Sequence, residues 1–437
     1  MLSKYFACSI ACFLSIFSVM CQSNDTLRVM SYNLLYYGEN TSFCDNGNNP
    51  IASKDAYFKI ITNYIDPDIL VVNEMGASAA YSNRILNKVL NVDGVNKYKA
   101  CSIKNNTFSS IVNGVFYNKQ KLEIVWQRSI KKDLNNSDLV RVIDLNKFYY
   151  SDPELAIGRD TTFLYVGAAH LKAGDSQNDA SAREIAAESF MEYISSELDP
   201  GYMFFCGDLN LYNANEGAYQ EFTGSTYGEY QFYDLASESG NWHNTNSFSD
   251  IHTQSTRSSN TNSGCFSGGG MDDRFDFILG SGQVYQDTGA ISYISQSYKT
   301  VGQDGSHFNQ SLIQGGNNSV PSNVLAALFE MSDHLPVVAD FKIQRLEPLI
   351  DTTDTVTGYS SNAKPQSRVW MQNDELRMNL LRNTQVEIID MNGISILSQP
   401  FGLGYHSIST NQIASGLYFI RTQDTRSVSV DRVLILR

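Results

Sequence analysis

GYMFFCGDLNLY, residues 201–212, sets an apolar run directly against a carboxylate and an amide, and its reading decides the fold. Met203 to Cys206 is too short a run for a helix and is preceded by Gly201, so it predicts a buried strand. The strand delivers Asp208 and Asn210 at its end. Residues two apart on an extended chain point the same way, which turns both toward one side. An Asx turn capping the strand accounts for the same letters. Chemistry therefore needs partners elsewhere in the chain.

Runs of the same kind recur from about residue 26 to 344. LRVMSYNLL (27–35), DILVVNEM (68–75), GVFYN (114–118), LVRVIDL (139–145), TTFLYVGAAHL (161–171), RFDFILG (274–280) and HLPVVADFKI (334–343) read as strands. DAYFKIITNYI (55–65) and SAREIAAESFMEYISSEL (181–198) carry helical apolar stripes. The alternation predicts an α/β fold of two packed sheets flanked by helices.

With 437 residues, a large core plus a smaller module is expected. Residues 1–21 place one lysine before an apolar stretch and read as a signal peptide, too short to span a bilayer. Cys21 stands where a lipoprotein acceptor could, but Met20 before it is bulkier than such signals prefer. Setting aside Cys8, Cys12 and Cys21 leaves Cys44, Cys101, Cys206 and Cys265, which allow three pairings in an oxidising compartment. Cys206, inside a strand, reads as a buried thiol. Without a CxxC motif, no zinc site is expected. The net charge of −14 argues against a protein that holds polyanions by overall attraction, while leaving room for turnover at a locally positive site.

Residues 345–368 turn polar, with two prolines, and read as a linker. Beyond it, 369–437 carries only short alternating strands, the pattern of a small all-β sandwich. VEIIDMNGISILSQ (386–399), SGLYFIRTQ (415–423) and VDRVLIL (430–436) resemble the C-terminal sorting domain of the Bacteroidetes type IX secretion system. That resemblance implies export through the periplasm to the cell surface or medium, with the secretion machinery as partner. A generic carbohydrate-binding or immunoglobulin-like module is the alternative.

Five further stretches carry polar residues at strand ends. SDHLPV (332–337) places Asp333 and His334 side by side, an acid able to hold a metal or accept a proton and an imidazole able to act as acid or base; a simple turn is the structural alternative. His170, in AAHLKAGD (168–175), closes a strand where a donor imidazole can meet phosphoryl charge, and Lys172 shares its face. Glu74, in VVNEMG (71–76), ends a buried run where a carboxylate needs a partner or a metal, and its hard oxygens suit Mg²⁺. Asn33, in MSYNLL (30–35), offers a neutral oxygen. In DDRFDFIL (272–279), Asp276 lies between two phenylalanines; His334 or Arg274 could pair with it, and Asp272 and Asp273 read as solvated.

Taken in order, SYN, NEM, HLKAG, GDLN, RFDFIL and SDHLPV resemble the endonuclease/exonuclease/phosphatase superfamily over about residues 26–344. The resemblance implies a four-layer α/β sandwich, two mainly antiparallel sheets flanked by helices, with a site at the strand ends. It implies a metal-dependent phosphoric ester hydrolase using Mg²⁺, or Mn²⁺ or Ca²⁺ in its place. Glu74 would be the principal ligand, with Asn33 and Asp333 near the metal. His170, Asp208, Asn210, Asp276 and His334 would be catalytic, with Asp276 polarising His334, Asp208 acting on the attacking water, and the base not fixed between Asp208 and His334. Arg141 and Lys172 would be additional phosphate contacts. Two positions depart from the pattern: Asn73 stands where many members have glutamine, and Asn113 lies where members vary.

These readings lead to a secreted Mg²⁺-dependent phosphodiesterase, foremost a nuclease acting on extracellular nucleic acid. Lys119, Lys121, Arg128, Lys131 and Lys132 offer a contact face, or a solvated hairpin. A phosphatase or phospholipid-head-group phosphodiesterase keeps the chemistry and changes the substrate. A non-catalytic surface binding protein is the alternative of another class.

Overall fold

The structure is a computed structural model that describes residues 25–105, 109–152, 161–287, 289–344, 368–372, 375–380, 382–391, 393–424 and 428–435. The expected signal peptide with Cys8, Cys12 and Cys21, and the expected linker up to residue 367, lie outside the described residues. Two compact units divide the chain, with described residues 25–344 in the first and 368–435 in the second.

In the first unit the order is β1 (Asp25–Tyr37), α1 (Ile51–Ile65), β2 (Ile69–Gly76), α2 (Ala79–Ile85), β3 (Tyr98–Ala100), β4 (Ile111–Asn118), β5 (Leu122–Lys132), β6 (Asp138–Tyr150), β7 (Phe163–His170), α3 (Gln177–Glu197), β8 (Tyr202–Asp208), α4 (Gly217–Thr223), β9 (Phe232–Asp234), β10 (Asp276–Ser281), α5 (Gly282–Tyr285), β11 (Ile291–Tyr293), β12 (Lys299–Thr300), α6 (Ser322–Met331) and β13 (Val337–Ile343). Local chemistry sets several boundaries. Ser176 caps α3 by accepting from the Asp179 amide. Asp66, in the left-handed region before Pro67, ends α1 and returns its amide to the Thr62 carbonyl.

The strands form two sheets, β11-β13-β1-β2-β4-β3 with β12 beside β13, and β5-β6-β7-β8-β10-β9. Each holds one parallel pair, β1/β2 or β7/β8, among antiparallel neighbours. Alternation along each strand feeds two cores. Val29, Val71, Val337 and Phe341 meet Leu164, Val166, Phe204 and Ile278 between the sheets, with the Phe204 and Phe341 rings 4.3 Å apart. Outward, Tyr32, Leu70 and Val72 pack on Phe58, Ile61 and Leu328 of α1 and α6, while Phe205 and Phe277 pack on Phe190 and Phe222 of α3 and α4. This is the four-layer α/β sandwich, and burial on both faces explains the unbroken apolar runs.

Strand direction gathers the chemistry. The parallel strands β1, β2, β7 and β8 end at one edge, where the antiparallel β10 and β13 begin. Register completes the alignment: Asp208 is opposite both His170 and Asp276. Nearby, Cys44 in the β1–α1 loop is disulfide-bonded to Cys265 in the long loop before β10, and Cys101 and Cys206 are buried free thiols. One bridge forms, so none of the three two-bridge pairings is realised in full, and Cys206 is a buried thiol as its strand position predicts.

In the second unit, β14 (Arg368–Gln372), β15 (Glu375–Leu380), β16 (Thr384–Ile389), β17 (Ser395–Phe401), β18 (Gly404–Ser409), β19 (Gly416–Gln423) and β20 (Val428–Ile435) form sheets ordered β14-β15-β18 and β17-β16-β19-β20. Leu376, Met378, Val386, Ile388, Tyr418 and Ile420 fill the core. The small all-β module is therefore present.

Candidate active site

At the shared edge, Glu74, Asn33, Asp208, His170 and His334 converge. Asn33 Nδ2 donates to Glu74 Oε1 at 3.1 Å and to Asp208 Oδ2 at 2.9 Å. His170 Nε2 lies 3.8 Å from Glu74 Oε1 and 3.5 Å from Asp208 Oδ2. His334 Nε2 reaches Asp208 Oδ2 at 3.9 Å, and its Nδ1 meets Asp276 Oδ2 at 2.7 Å. Side chains from both sheets thus address one volume. Glu74 is aimed there by a bulge in β2, where its φ of 57° is left-handed.

Several expected residues sit differently from their expectation. Asn33 was to present an oxygen, but its oxygen accepts from the Leu35 amide at 2.9 Å and its nitrogen faces the carboxylates, which need a donor between them. Asn210 lies beyond the end of β8 at φ 51°, so the strand rule for residues two apart does not apply; its amide donates to Asp208 Oδ1 at 3.1 Å and its Nδ2 to the Leu171 carbonyl at 3.3 Å. Lys172 is not brought to the site, because Asp179 at the start of α3 holds it at 2.7 Å. Arg274 is taken by Asp234 through two 2.7 Å bonds, which leaves Asp276 to His334. Asp272 and Asp273 are not simply solvated: both are half-buried, and Asp273 Oδ1 is 2.5 Å from His243 Nδ1. Asp333 stands beside His334, with Oδ2 accepting from the Ser267 amide at 2.9 Å and Oδ1 buried without a partner among the described residues. Arg141 donates to the Leu171 carbonyl near His170. The expected basic face is scattered: Lys121 pairs with Asp25 and Asp68 at the far end of β1, Lys132 with Asp138, and Arg128 bonds Tyr193.

Electrostatics follow from burial. Burial pushes Glu74 above the usual carboxylate range, and Asp333 adds to it. Burial likewise pushes Asp208 up to about 7, against the nearby His334 charge. Burial pulls His334 down, but Asp276, Asp208 and Asp333 outweigh it and raise the imidazole to about 10. His170 goes the other way, held well below its ordinary range by burial, Arg141 and His334. The result is a cationic His334, a neutral His170 and an excess of carboxylate.

That excess suits a divalent cation. Glu74, His170 and Asp208 place one ligand atom each within 4.8 Å of one another, and the orphaned Asp333 Oδ1 is a further hard donor. Hard oxygens with a single imidazole form a donor set for such a cation.

Residues that carried no signal in the sequence support this centre. Gln254 Nε2 is 2.8 Å from His334 Nε2, Thr253 Oγ1 accepts the Phe275 and Asp276 amides, and Ser332 Oγ joins the Asn33 carbonyl to the His334 amide. Lys54, buried in α1, donates to the Leu34 and Met331 carbonyls and so joins the end of β1 to the end of α6. Asn73 and Asn113, the departures from the family pattern, form a buried chain. Asn73 Oδ1 accepts the Asp208 amide at 2.9 Å, Asn73 Nδ2 donates to Asn113 Oδ1 at 2.8 Å, and Asn113 Nδ2 donates to Asp144 Oδ2 at 3.1 Å.

Asp144 is pushed up to about 7 by burial, and its Oδ1 has no partner among the described residues. A carboxyl with a raised folded pKa costs stability as pH climbs from its unfolded value, about 3.9, through the folded one. The melting temperature of Asp144→Asn relative to the parent is therefore expected to rise between pH 5 and pH 8, on the order of a few kcal/mol in stability. A difference that stays flat over that range contradicts the assignment.

Comparison with known proteins now bears on the two units. Residues 372–436 match the family described as "Secretion system C-terminal sorting domain". The chain therefore carries a sorting module directed at a secretion system, and no helix among the described residues is long and apolar enough to cross a membrane. No curated protein matches the chain. Among solved structures it is similar to the human Nocturnin catalytic domain with bound sulfate, at 13% identity over 73% of this chain and 97% of that one, TM-score 0.47. It is similar to an endonuclease/exonuclease/phosphatase from Bacteroides vulgatus, at 16% identity over 73% and 99%, TM-score 0.46. It is also similar to D. rerio TDP2 complexed with a single-strand DNA product, at 12% identity over 72% and 98%, TM-score 0.43. By its own layers and site, the chain is a four-layer α/β sandwich protein with a carboxylate–imidazole centre at its strand ends, joined to a secretion sorting domain.

Proposed function

We propose that this protein is a secreted, Mg²⁺-dependent phosphodiesterase of the endonuclease/exonuclease/phosphatase superfamily, with residues 26–344 as its catalytic domain. The observation that carries the reading is the meeting of the His334–Asp276 pair with Glu74, Asp208 and His170 around one volume. Glu74 and Asp208, with His170 and Asp333 beside them, would hold the metal, whose chemistry is to neutralise phosphoryl charge and activate water. His334, kept cationic by Asp276, donates to a phosphoryl oxygen. Asp208, facing the same volume, orients the attacking water. Asn33 holds the two carboxylates together, and Arg141 stands at the side of the site to meet a further phosphate.

Extracellular nucleic acid is the leading substrate, and a head group or small phosphate ester is the second. The second is favoured by one observation: among the described residues Arg141 and Lys104 stand toward β6, while Asp272 and Asp273 stand toward β10. The secreted protein is to be incubated with plasmid DNA, RNA, sphingomyelin and sugar phosphates, with Mg²⁺ and with chelator. Hydrolysis of one class that disappears on chelation is expected. No metal-dependent release from any of them overturns the reading.

A further inference from the structure

Charge around the site is arranged by side. In the order β6-β7-β8-β10, His170 and Asp208 occupy the middle, Arg141 lies toward β6, and Asp272 and Asp273 lead into β10. On the first side Arg141 and Lys104 line a hollow with His170, and Lys131 is held against the same segment by the Asn105 carbonyl. On the second side His243 and Asp273 form an imidazole–carboxylate pair, with Asp272 adjacent and pushed up to about 6 by burial and by Asp273.

This second side is continuous with the catalytic groups. Gln254 bridges through its backbone to both Asp273 and His334. The Tyr212 ring, two residues beyond Asn210, meets the rings of His243 and Phe275 edge-on at 5.1 Å each, and Phe275 lies 6.4 Å from the His334 ring. The His243 side chain is 46% exposed, so its outer edge is open to whatever enters there.

Resting on the phosphodiesterase reading, we propose that His243, Asp272, Asp273 and Tyr212 determine specificity, receiving a substrate arm that carries hydroxyl or amine groups and no further phosphate. Two carboxylates repel a second phosphate at this rim, whereas the imidazole–carboxylate pair offers both a donor and an acceptor to neutral groups. The Tyr212 face covers a flat or apolar part of the arm. Arg141, Lys104 and Lys131 accept an anionic arm on the opposite side. The preferred substrate is therefore cleaved next to one of its ends, and the interior of a long polyanion is a poor fit.

The test uses the full chain and bis(p-nitrophenyl) phosphate as reporter diester, with Mg²⁺. A dinucleoside monophosphate and its two isomers bearing one added terminal phosphate, one at each end, compete against the reporter. One isomer is expected to inhibit about tenfold more weakly than the parent compound, and the other at least as well. Asp272→Asn and Asp273→Asn, checked for unchanged melting, are expected to erase the penalty; His243→Gln is expected to weaken the unphosphorylated compound. Isomers that inhibit alike, or a penalty untouched in both Asp→Asn variants, overturn the inference while leaving the reporter's hydrolysis intact. A reporter that is never hydrolysed overturns the phosphodiesterase reading itself.

Discussion

Glu74→Gln is expected to lower Mg²⁺-dependent kcat/KM by about a thousandfold or more. The substitution keeps shape and leaves one amide oxygen, which can accept only one of the two 3.1 Å bonds the carboxylate accepts, from Asn33 Nδ2 at Oε1 and from the Tyr36 amide at Oε2. It also removes the charge. Glu74 is held at this edge in a left-handed backbone conformation, and burial with Asp333 disfavours its ionised form. A position that costs stability in this way is retained where a cation offsets it. Metal-free Glu74→Gln is therefore expected to melt close to the parent, the lost acceptor offsetting the relief of buried charge, while losing calorimetrically measured Mn²⁺ binding. Unchanged turnover and unchanged Mn²⁺ binding together contradict the role.

Asp276→Asn is expected to cost about a thousandfold in kcat and to move the alkaline limb of the pH profile. Asp276 is fully buried, and its Oδ2 holds His334 Nδ1 at 2.7 Å. Burial lowers the imidazole pKa, and Asp276 leads the carboxylates that raise it to about 10. Activity that needs the cationic imidazole is lost as pH rises through that value. Without the carboxylate, loss should begin nearer neutrality. The readout is kcat from pH 6 to 10.5 in both proteins, with a chelator blank. An alkaline limb that stays in place shows that His334 works without its proton.

The sandwich was legible because strands buried on both faces leave long apolar runs, and because the polar residues of GDLN, HLKAG and SDHLPV stand at the ends of such runs. GDLN and SDHLPV gave the edge itself. Asp276 with His334 could be read as a pair, since a carboxylate between two phenylalanines needs a partner. Other features depend on contacts between distant segments. Nothing in SDIHTQSTRSS, residues 249–259, has a period, so Thr253 and Gln254 carried no signal until the fold placed them against Asp276 and His334. Lys172 was misjudged because strand alternation stops at His170 and the capped start of α3 supplies Asp179. The β5 strand (Leu122–Lys132) is not among the strands read from the sequence, where its basic residues stand as a contact face or a solvated hairpin, since its outer residues hide the alternation. Asp273 read as solvated because His243 is 30 residues away in sequence.

An interior pairing of the first sheet joins β1 to β13, the first and last described strands of the unit, with Asp25 opposite Ile343 and Ser31 opposite Val337. Asn33 therefore comes from the first described strand, and Asp333 and His334 from the last stretch of this unit, ahead of the second unit. A nascent or truncated chain owns one half of the centre and lacks the other. On the phosphodiesterase reading, a chain that ends before β13 is expected to lack turnover, whatever else of the unit it has folded.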